Sequence, residues 1–516
     1  MEKISIYNLR SLKKIKDIEI KNLTVLIGKN SSGKSTFLRV FPLLKQSITT
    51  RTSDPILWYG KLVDFGEYDD AKSKDSKEDI AFTFHFDAKE VLNKRPYIIN
   101  SRRYYSFGFY NGFFRKELKG KVECKVYIKE NIFSKIDIIY QSQKFSLKYE
   151  VAKKEYNLLI NDSVEKSLSF KVILNPERFL PTIIMDRNNT FFDDFIDNKS
   201  VENLAEKLKT HTRKGTKSKT IVNYLSNIDF GEKKDIYNEL LKKNGPKTLK
   251  KYIKSLKYND NDFMKINNQI VLPHAAIMFE LSNSFFDNLG KNIHYIEPLR
   301  ARASRYYRVQ GIYIDEIDPT GENIHMFLAS LKKDPLEEFR MWTRKHFGFM
   351  IKTMKEQGHI SLYIQDDESK DIFNVTDMGF GFSQIIPIVV LLWKIQQEAR
   401  INSRNFREIL ICIEQPELHL HPAFQAKLID AFITIINLSK KSKHINVKFV
   451  IETHSETIVN RISSIISNNI IDKELSNILI FDKKDNSTNI MTGKFNSDGY
   501  IENWPLGFFD AEDIKC

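Results

Sequence analysis

The chain lacks the features that mark several broad classes of protein. No uninterrupted apolar run approaches the ~20 residues that a membrane-spanning helix needs, so a soluble protein is expected. The opening MEKISIYNLRSLKK passes straight into an alternating strand pattern without an apolar signal core, and the expected compartment is therefore the cytoplasm. Three cysteines, Cys124, Cys412 and Cys516, lie too far apart for a disulfide framework or a CxxC metal pair. That fits a reducing compartment, with each cysteine an ordinary packing or tail residue. There is no heptad run of three or more repeats in the middle of the chain, so no long coiled-coil arm is expected there.

What is present is length and positive charge. At 516 residues, a prior of ~150 per unit suggests about three structural units, although insertions into one fold would give the same length. The 41% apolar fraction is enough for a sizeable core. A formal net charge of +14 suits a polyanionic partner such as nucleic acid. Mixed-charge stretches rich in lysine read equally well as solvated faces.

Residues 3–7 and 17–27 alternate or run apolar in β-branched residues, the pattern of two short strands ending on a glycine. Gly28-Lys29-Asn30-Ser31-Ser32-Gly33-Lys34-Ser35-Thr36 follows, and then an apolar-periodic segment. This is a complete GxxxxGK[ST] loop between a strand and a helix. Its glycines let backbone N–H groups curl around phosphates, the helix N-terminus adds its positive dipole end, Lys34 reaches the outer phosphates, and Ser35 can ligate Mg²⁺.

From about 80 to 180, segments such as IAFTFHF and KVECKVYI alternate with turn residues and predict an antiparallel lobe. From about 185 to 290 the spacing turns helical and polar, and NIHYIEPLR at 292–300 reads as a strand returning to the core. The expected division is 1–75 for the first part of a P-loop α/β domain, 76–185 for the antiparallel lobe, 186–290 for a helical insertion, and 291–516 for the rest.

Four signals fall in the last third. Asp377-Met378-Gly379-Phe380-Gly381-Phe382-Ser383-Gln384 precedes an apolar helix, and glycines ahead of a serine cap suggest a second anion-facing helix start, with Pro387 near its first turn. ILICIEQPELHLHP at 409–422 reads as a buried central strand whose C-terminal end places Glu414 where a carboxylate can hold the Mg²⁺ of a nucleotide. Gln415 and Glu417 are candidates to position or activate water, whereas His419 and His421 lack a matching ligand cluster and read as loop residues. KFVIETHSE at 448–456 is another buried strand with a polar tip, where His454 is either structural or a γ-phosphate partner. GYIENWPLGFFD at 499–510 reads as a packed tail. Arg300, Arg302 and Arg305 beyond a strand end could contact phosphate or form an exposed structural cluster.

GKNSSGKST, DMGFGFSQ, IEQPELHLHP and ETHSE, in that order, resemble the ABC-type AAA ATPases related to the OLD, RecF and Rad50 proteins. Within that group the sequence is similar to the PtuA ATPase subunits of Septu-type antiphage systems, which also occur beside retrons. The tail resembles a short C-terminal module of some bacterial members, and residues 80–290 match nothing in the resemblance. The resemblance implies an ATP-binding head: Gly28, Asn30, Ser31, Ser32, Gly33, Lys34, Ser35 and Thr36 as Walker A, Glu414 as the Walker B acid, and His454 as the switch histidine. It makes Gly379, Gly381 and Ser383 a signature segment that closes over a partner subunit's nucleotide, so a homodimer or higher oligomer follows.

The sequence departs from the general ABC pattern in carrying Glu414 for the usual Asp and Gln415 for the usual general-base Glu. An amide cannot accept a proton, so slow ATP hydrolysis or a nucleotide-held clamp is expected. No Glu-then-DxD pattern of a TOPRIM nuclease is present after His454. The resemblance therefore implies a separately encoded HNH nuclease, with a reverse transcriptase and its RNA-linked DNA in the retron setting. A RecF-like DNA-repair or chromosome-maintenance clamp is the other reading. A transporter ATPase is weaker, since no membrane domain is indicated.

Overall fold

The protein is described from a computed structural model covering residues 1–74, 76–89, 91, 120–164, 170–175, 177–185, 198–308, 314–367, 370–400, 406–442, 444–502 and 504. An antiparallel sheet opens the chain. The hairpin β1 (Lys3–Leu9) and β2 (Leu12–Glu19) lies at its edge. The next segment, β3 (Leu23–Gly28), leaves for a different sheet and runs into helix α1 (Lys34–Thr49). Residues 17–27, read from the sequence as one strand, are thus divided between two sheets. The split falls where Asn22 turns aside, its Nδ2 donating to Asn446 Oδ1 and Val447 O, both at 2.8 Å.

The antiparallel sheet continues through β4 (Ile80–Asp87), β5 (Lys121–Lys129), β6 (Ile132–Tyr140), β7 (Gln143–Glu150), β8 (Glu155–Ile160) and β9 (Ser163–Val164), in the order β2-β1-β4-β5-β6-β7-β8-β9. In β5 the burial alternates residue by residue, with Val122, Cys124, Val126 and Ile128 inside, as a sheet with one packed face requires. A short hairpin, β10 (Phe170–Ile173) with β11 (Thr182–Met185), follows.

Five described helices span 198–271 before helix α2 (Ala275–Asn292), the longest among the described residues of this region at 18 residues. Their apolar faces close over the antiparallel sheet: Phe285 stacks on Phe86 at 4.1 Å, and Phe286 meets Phe84 edge-on at 5.1 Å.

Strand β12 (Ile293–Ile296) brings the chain back to the parallel sheet. A smaller antiparallel sheet then forms from β13 (Tyr307–Arg308), β14 (Phe349–Glu356), β15 (His359–Asp366) and β16 (Ile372–Asn374). Helix α3 (Phe380–Arg400), β17 (Arg407–Glu414), helix α4 (Pro422–Lys441), β18 (Ile445–Glu452) and helix α5 (Glu456–Ser467) complete two strand–helix units. Strand β19 (Ser476–Lys484) adds to β3, with β20 (Ser487–Phe495) and β21 (Ile501–Glu502) beyond it. The order is β12-β17-β18-β3-β19-β20-β21, parallel from β12 to β19 and antiparallel after it. The fold is therefore α/β, with the P-loop on a largely parallel sheet, joined to an antiparallel lobe and a helical insertion.

Alternation of side chains explains why the central strands read as unbroken apolar runs. In β17, Leu410 and Cys412 enter the core shared with Phe37 and Phe41 of α1, whereas Ile409, Ile411 and Ile413 enter the core shared with Val389 of α3 and Phe432 of α4. Both faces are covered, so neither parity can be polar. Each fully buried Ile or Leu contributes about 1.5–3 kcal/mol of transfer free energy. Cys124 and Cys412 are buried free thiols, and Cys516 lies outside the described residues. Among the described residues no helix is long and apolar enough to cross a membrane. Residues 503 and 505–510 of the expected tail also lie outside the described residues, while Tyr500 is exposed.

Candidate functional site

The loop between β3 and α1 is held from beneath and by the side chain of Lys34. Gly28 (φ +154°) has no room for a Cβ, which would lie 2.5 Å from Phe481 O. Gly33 (φ +103°) is left-handed, and a Cβ there would meet Thr488 Oγ1 at 2.6 Å. Thr488 Oγ1 itself donates to Ser32 O at 2.8 Å, so the β19–β20 hairpin fixes the loop's floor. Lys34 is folded back along the loop, its Nζ donating to Gly28 O at 2.9 Å and Lys29 O at 2.8 Å. Burial lowers the Lys34 ammonium from its ordinary value, against the opposing pull of Glu452 and Glu417. A phosphate arriving above it would meet a partly desolvated cation whose present acceptors are weak backbone carbonyls.

Two carboxylates end neighbouring strands in register, Glu414 on β17 and Glu452 on β18. Both are buried, and their partners come from α1 and, for Glu414, also from β12. Arg39 grips Glu414 through Nε to Oε1 at 2.7 Å and through its terminal nitrogen to Oε2 at 2.8 Å, and Tyr295 OH donates to Oε1 at 2.6 Å. The hydrogen bond to Glu414 raises the Arg39 guanidinium, and burial raises the Tyr295 phenol. Ser35 Oγ donates to Glu452 Oε1 at 2.8 Å, and Lys34 Nζ stands 4.0 Å from the same oxygen. Burial, reinforced by the charge of Glu414, pushes the Glu452 carboxyl up to about 7. Its Oε2 is buried and has no hydrogen-bond partner. A hydroxyl beside a half-satisfied carboxylate is a donor set that suits a hard divalent cation, so Ser35 and Glu452 fit the Mg²⁺ of a nucleotide.

Gln415 follows β17 with φ +44°, its N donating to Glu452 O at 2.8 Å. Glu417 Oε1 accepts from His454 N at 2.7 Å, and burial raises its carboxyl. The imidazole of His454 is exposed; the burial it does have, followed by the charge of Lys34, lowers it. Arg300 is buried at 3% exposure and donates to Glu414 O at 2.9 Å; its N–H donates to Gln384 Oε1, and Gln384 Nε2 donates back to Arg300 O at 3.1 Å. Arg302 is exposed and lies 5.4 Å from the Phe380 ring centre, and Arg305 pairs with Asp377. The three arginines thus have separate roles, and none of them lines the loop's cavity.

That cavity has a volume of about 360 Å³. Asn30, Ser31, Ser32, Gly33, Lys34, Ser35 and Thr36 form one wall, and Gln415, Glu452 and His454 close it from the strand ends. Arg10, Ser11 and Lys483 complete it. Glu414, Glu417 and Gly28 are not among the lining residues. Glu452, Arg10, Ser11 and Lys483 were not singled out from the sequence. The one available signal was the polar tip of KFVIETHSE, which includes Glu452. Arg10 and Ser11 sit in an ordinary two-residue hairpin turn, and Lys483 is one lysine among many.

Gly379, Gly381 and Ser383 do not line this chain's own cavity. The expectation of a serine cap needs correction. Helix α3 begins at Phe380, after Gly379 turns the chain at φ +80°, so Ser383 already lies inside the first turn. Its Oγ is buried and accepts from Ala303 N at 3.4 Å. Pro387 consequently falls about two turns into the helix, where Gly321 leaves space for its ring. His421 caps α4, accepting from Ala423 N at 3.3 Å, while His419 packs edge-on against Phe380 at 4.7 Å. Among the described residues no group of three or more His, Cys, Asp or Glu is placed to hold a metal by itself.

Comparison with known proteins adds the following. The model of the family described as "AAA ATPase domain" matches residues 1–459. Among curated proteins, the chain is 24% identical over 281 residues to "Endonuclease GajA" of Bacillus cereus (strain HuB5-5). That alignment takes in 46% of this chain and 38% of GajA, so the chain spans well under half the length of that relative. Among solved structures, an Smc head domain of Pyrococcus furiosus bound to the C-terminal domain of ScpA is 11% identical, with 96% of each chain covered and a TM-score of 0.34. The SMC head domain from Thermotoga maritima is 8% identical, covering 95% of this chain and 97% of that one, also at 0.34. Both structural likenesses are too loose to carry weight.

Proposed function

Because the chain belongs to the AAA ATPase domain family, we propose that it binds ATP with Mg²⁺ on the Gly28–Thr36 loop and hydrolyses it slowly between two copies of itself. The observation that carries this reading is the shared cavity of Lys34, Ser35, Gln415, Glu452 and His454 at the C-terminal ends of parallel strands. In it Lys34 and the α1 N-terminus bind phosphate, and Gln415 orients water without accepting its proton. Glu417, hydrogen-bonded to His454 N, holds the β18 tip and stands as the reserve base. Gly379, Gly381 and Ser383 are absent from the chain's own cavity, which is what a signature segment serving a second copy requires.

On the biological side, the chain acts as the regulatory ATPase of a Septu-like antiphage system and controls a separately encoded HNH nuclease, with retron RNA–DNA and its reverse transcriptase as the further partners in that setting. The order of motifs and the partial likeness to GajA support this reading. A DNA-binding clamp is favoured by one specific observation. His211 stacks on Tyr252 at 3.6 Å, so the segments 207–219 and 242–257, which both carry exposed lysines, meet at that point. The test is ATP binding by fluorescent-nucleotide titration, with the mass in solution followed in parallel. Wild type should bind and dimerise with ATP, and Lys34→Ala should do neither. Equal affinity in the two proteins would overturn the assignment.

A further inference from the structure

The two in-register carboxylates at the strand ends are used differently. Glu414 already accepts three side-chain hydrogen bonds, from Arg39 at 2.7 and 2.8 Å and from Tyr295 at 2.6 Å, and it does not line the cavity. Glu452 lines the cavity beside Ser35 and Lys34, and its Oε2 is buried without a hydrogen-bond partner. The Ser35 proton already points to Glu452 Oε1, which leaves the hydroxyl lone pairs free. A hard cation takes oxygen donors of this kind, and a carboxylate committed to a guanidinium and a phenol has no comparable capacity.

We propose that Glu452, from the strand beside the P-loop strand, supplies the carboxylate that holds the nucleotide's divalent cation together with Ser35, and that Glu414 instead anchors Arg39 and helix α1. This assignment rests on the ATP site argued above. It moves the acidic function one strand over from the position to which motif order assigns it. The register of β17 and β18 makes the move geometrically small, since the two residues are direct neighbours.

Mn²⁺ binding read by electron paramagnetic resonance with a non-hydrolysable ATP analogue tests it, alongside ATP affinity measured in EDTA. Glu452→Gln should weaken Mn²⁺ at least tenfold while metal-free ATP affinity stays within threefold of wild type. Glu452→Asp should restore part of the Mn²⁺ affinity, and Glu414→Gln should keep it near wild type. If Glu414→Gln does not fold, the Glu452 pair decides alone. Mn²⁺ affinity within twofold of wild type in Glu452→Gln overturns the proposal, as does an equal loss of metal-free ATP binding, which would make Glu452 a pocket-shaping residue. A wild-type protein that binds ATP neither in EDTA nor with Mn²⁺ would overturn the ATP-site reading itself, and this proposal with it.

Discussion

Replacing Arg39 by methionine keeps most of its aliphatic stem and removes the guanidinium that meets Glu414 through two bonds of 2.7 and 2.8 Å. The Glu414 side chain is 3% exposed, so its charge cannot turn to water, and Tyr295 would be left as its remaining side-chain donor. Removing one partner of a buried pair typically costs about 3–5 kcal/mol. Arg39 is itself 34% exposed and the phenol remains, which together argue for a value below that range, about 2–3 kcal/mol. Much of that loss is the stranded charge rather than the lost bond. Adding Glu414→Gln to Arg39→Met should therefore recover at least ~1 kcal/mol, a positive coupling in a double-mutant cycle. Amide exchange of the β17 strand, 407–414, reads the local opening free energy without assuming that the whole chain unfolds at once. A loss under ~0.5 kcal/mol in the single variant, or strict additivity in the double, would refute this account of Glu414.

Gln415 lines the cavity but cannot take a proton, so Gln415→Glu should raise ATP turnover by about tenfold or more in a phosphate-release assay, and an unchanged rate would place the base elsewhere. His274 is buried against Phe230, and burial pushes it down to about 4, so the folded state keeps it neutral while the unfolded chain protonates below about 6.5. Stability should then fall by roughly 1.4 kcal/mol per pH unit as pH drops from about 6.5 to 4, with no contribution above that window. Melting curves of wild type and His274→Phe should diverge only there, and parallel curves would remove His274 as a cause. Neutralising Lys207, Lys209, Lys214, Lys217 and Lys219 to glutamine should weaken binding of any duplex evenly and flatten its salt dependence, measured by anisotropy across salt; identical slopes would assign this face to a protein partner.

The parts of the site that were legible in the sequence are those built within one stretch of chain. Gly28 to Thr36 declares itself because the glycines, the lysine and the following helix all lie within one strand–loop–helix unit. ILICI and KFVI declare buried strands because both faces are covered. The pairings that give these pieces their chemistry are non-local: Ser35 meets Glu452 across 417 positions and Arg39 meets Glu414 across 375. No spacing rule reaches that far, so the motif order singled out Glu414 and passed over Glu452. The strands of the opening hairpin show the same limit in the fold. The pattern identifies β1 over residues 3–7, but reading 17–27 as one strand merges the end of β2 with β3, because such a pattern is blind to which sheet a segment joins. Ser383 was misread for a different reason, since a glycine at φ +80° starts the helix earlier than a serine cap would.

Helix α1 carries Lys34, Ser35 and Arg39 in its first two turns, and its last turns pack against the end of α2 and the start of β12. There Lys45 Nζ donates to Ile293 O at 2.6 Å, and Ile48 packs where Gly290 leaves no room for a side chain. The helix therefore works as an axle with two bearings: the strand-end carboxylates at one end and the root of the helical insertion at the other. Eleven of its 16 residues are buried, so a shift at its phosphate end would have to be accommodated by the packing along its length. The pocket and the root of the insertion are thus joined through a single element.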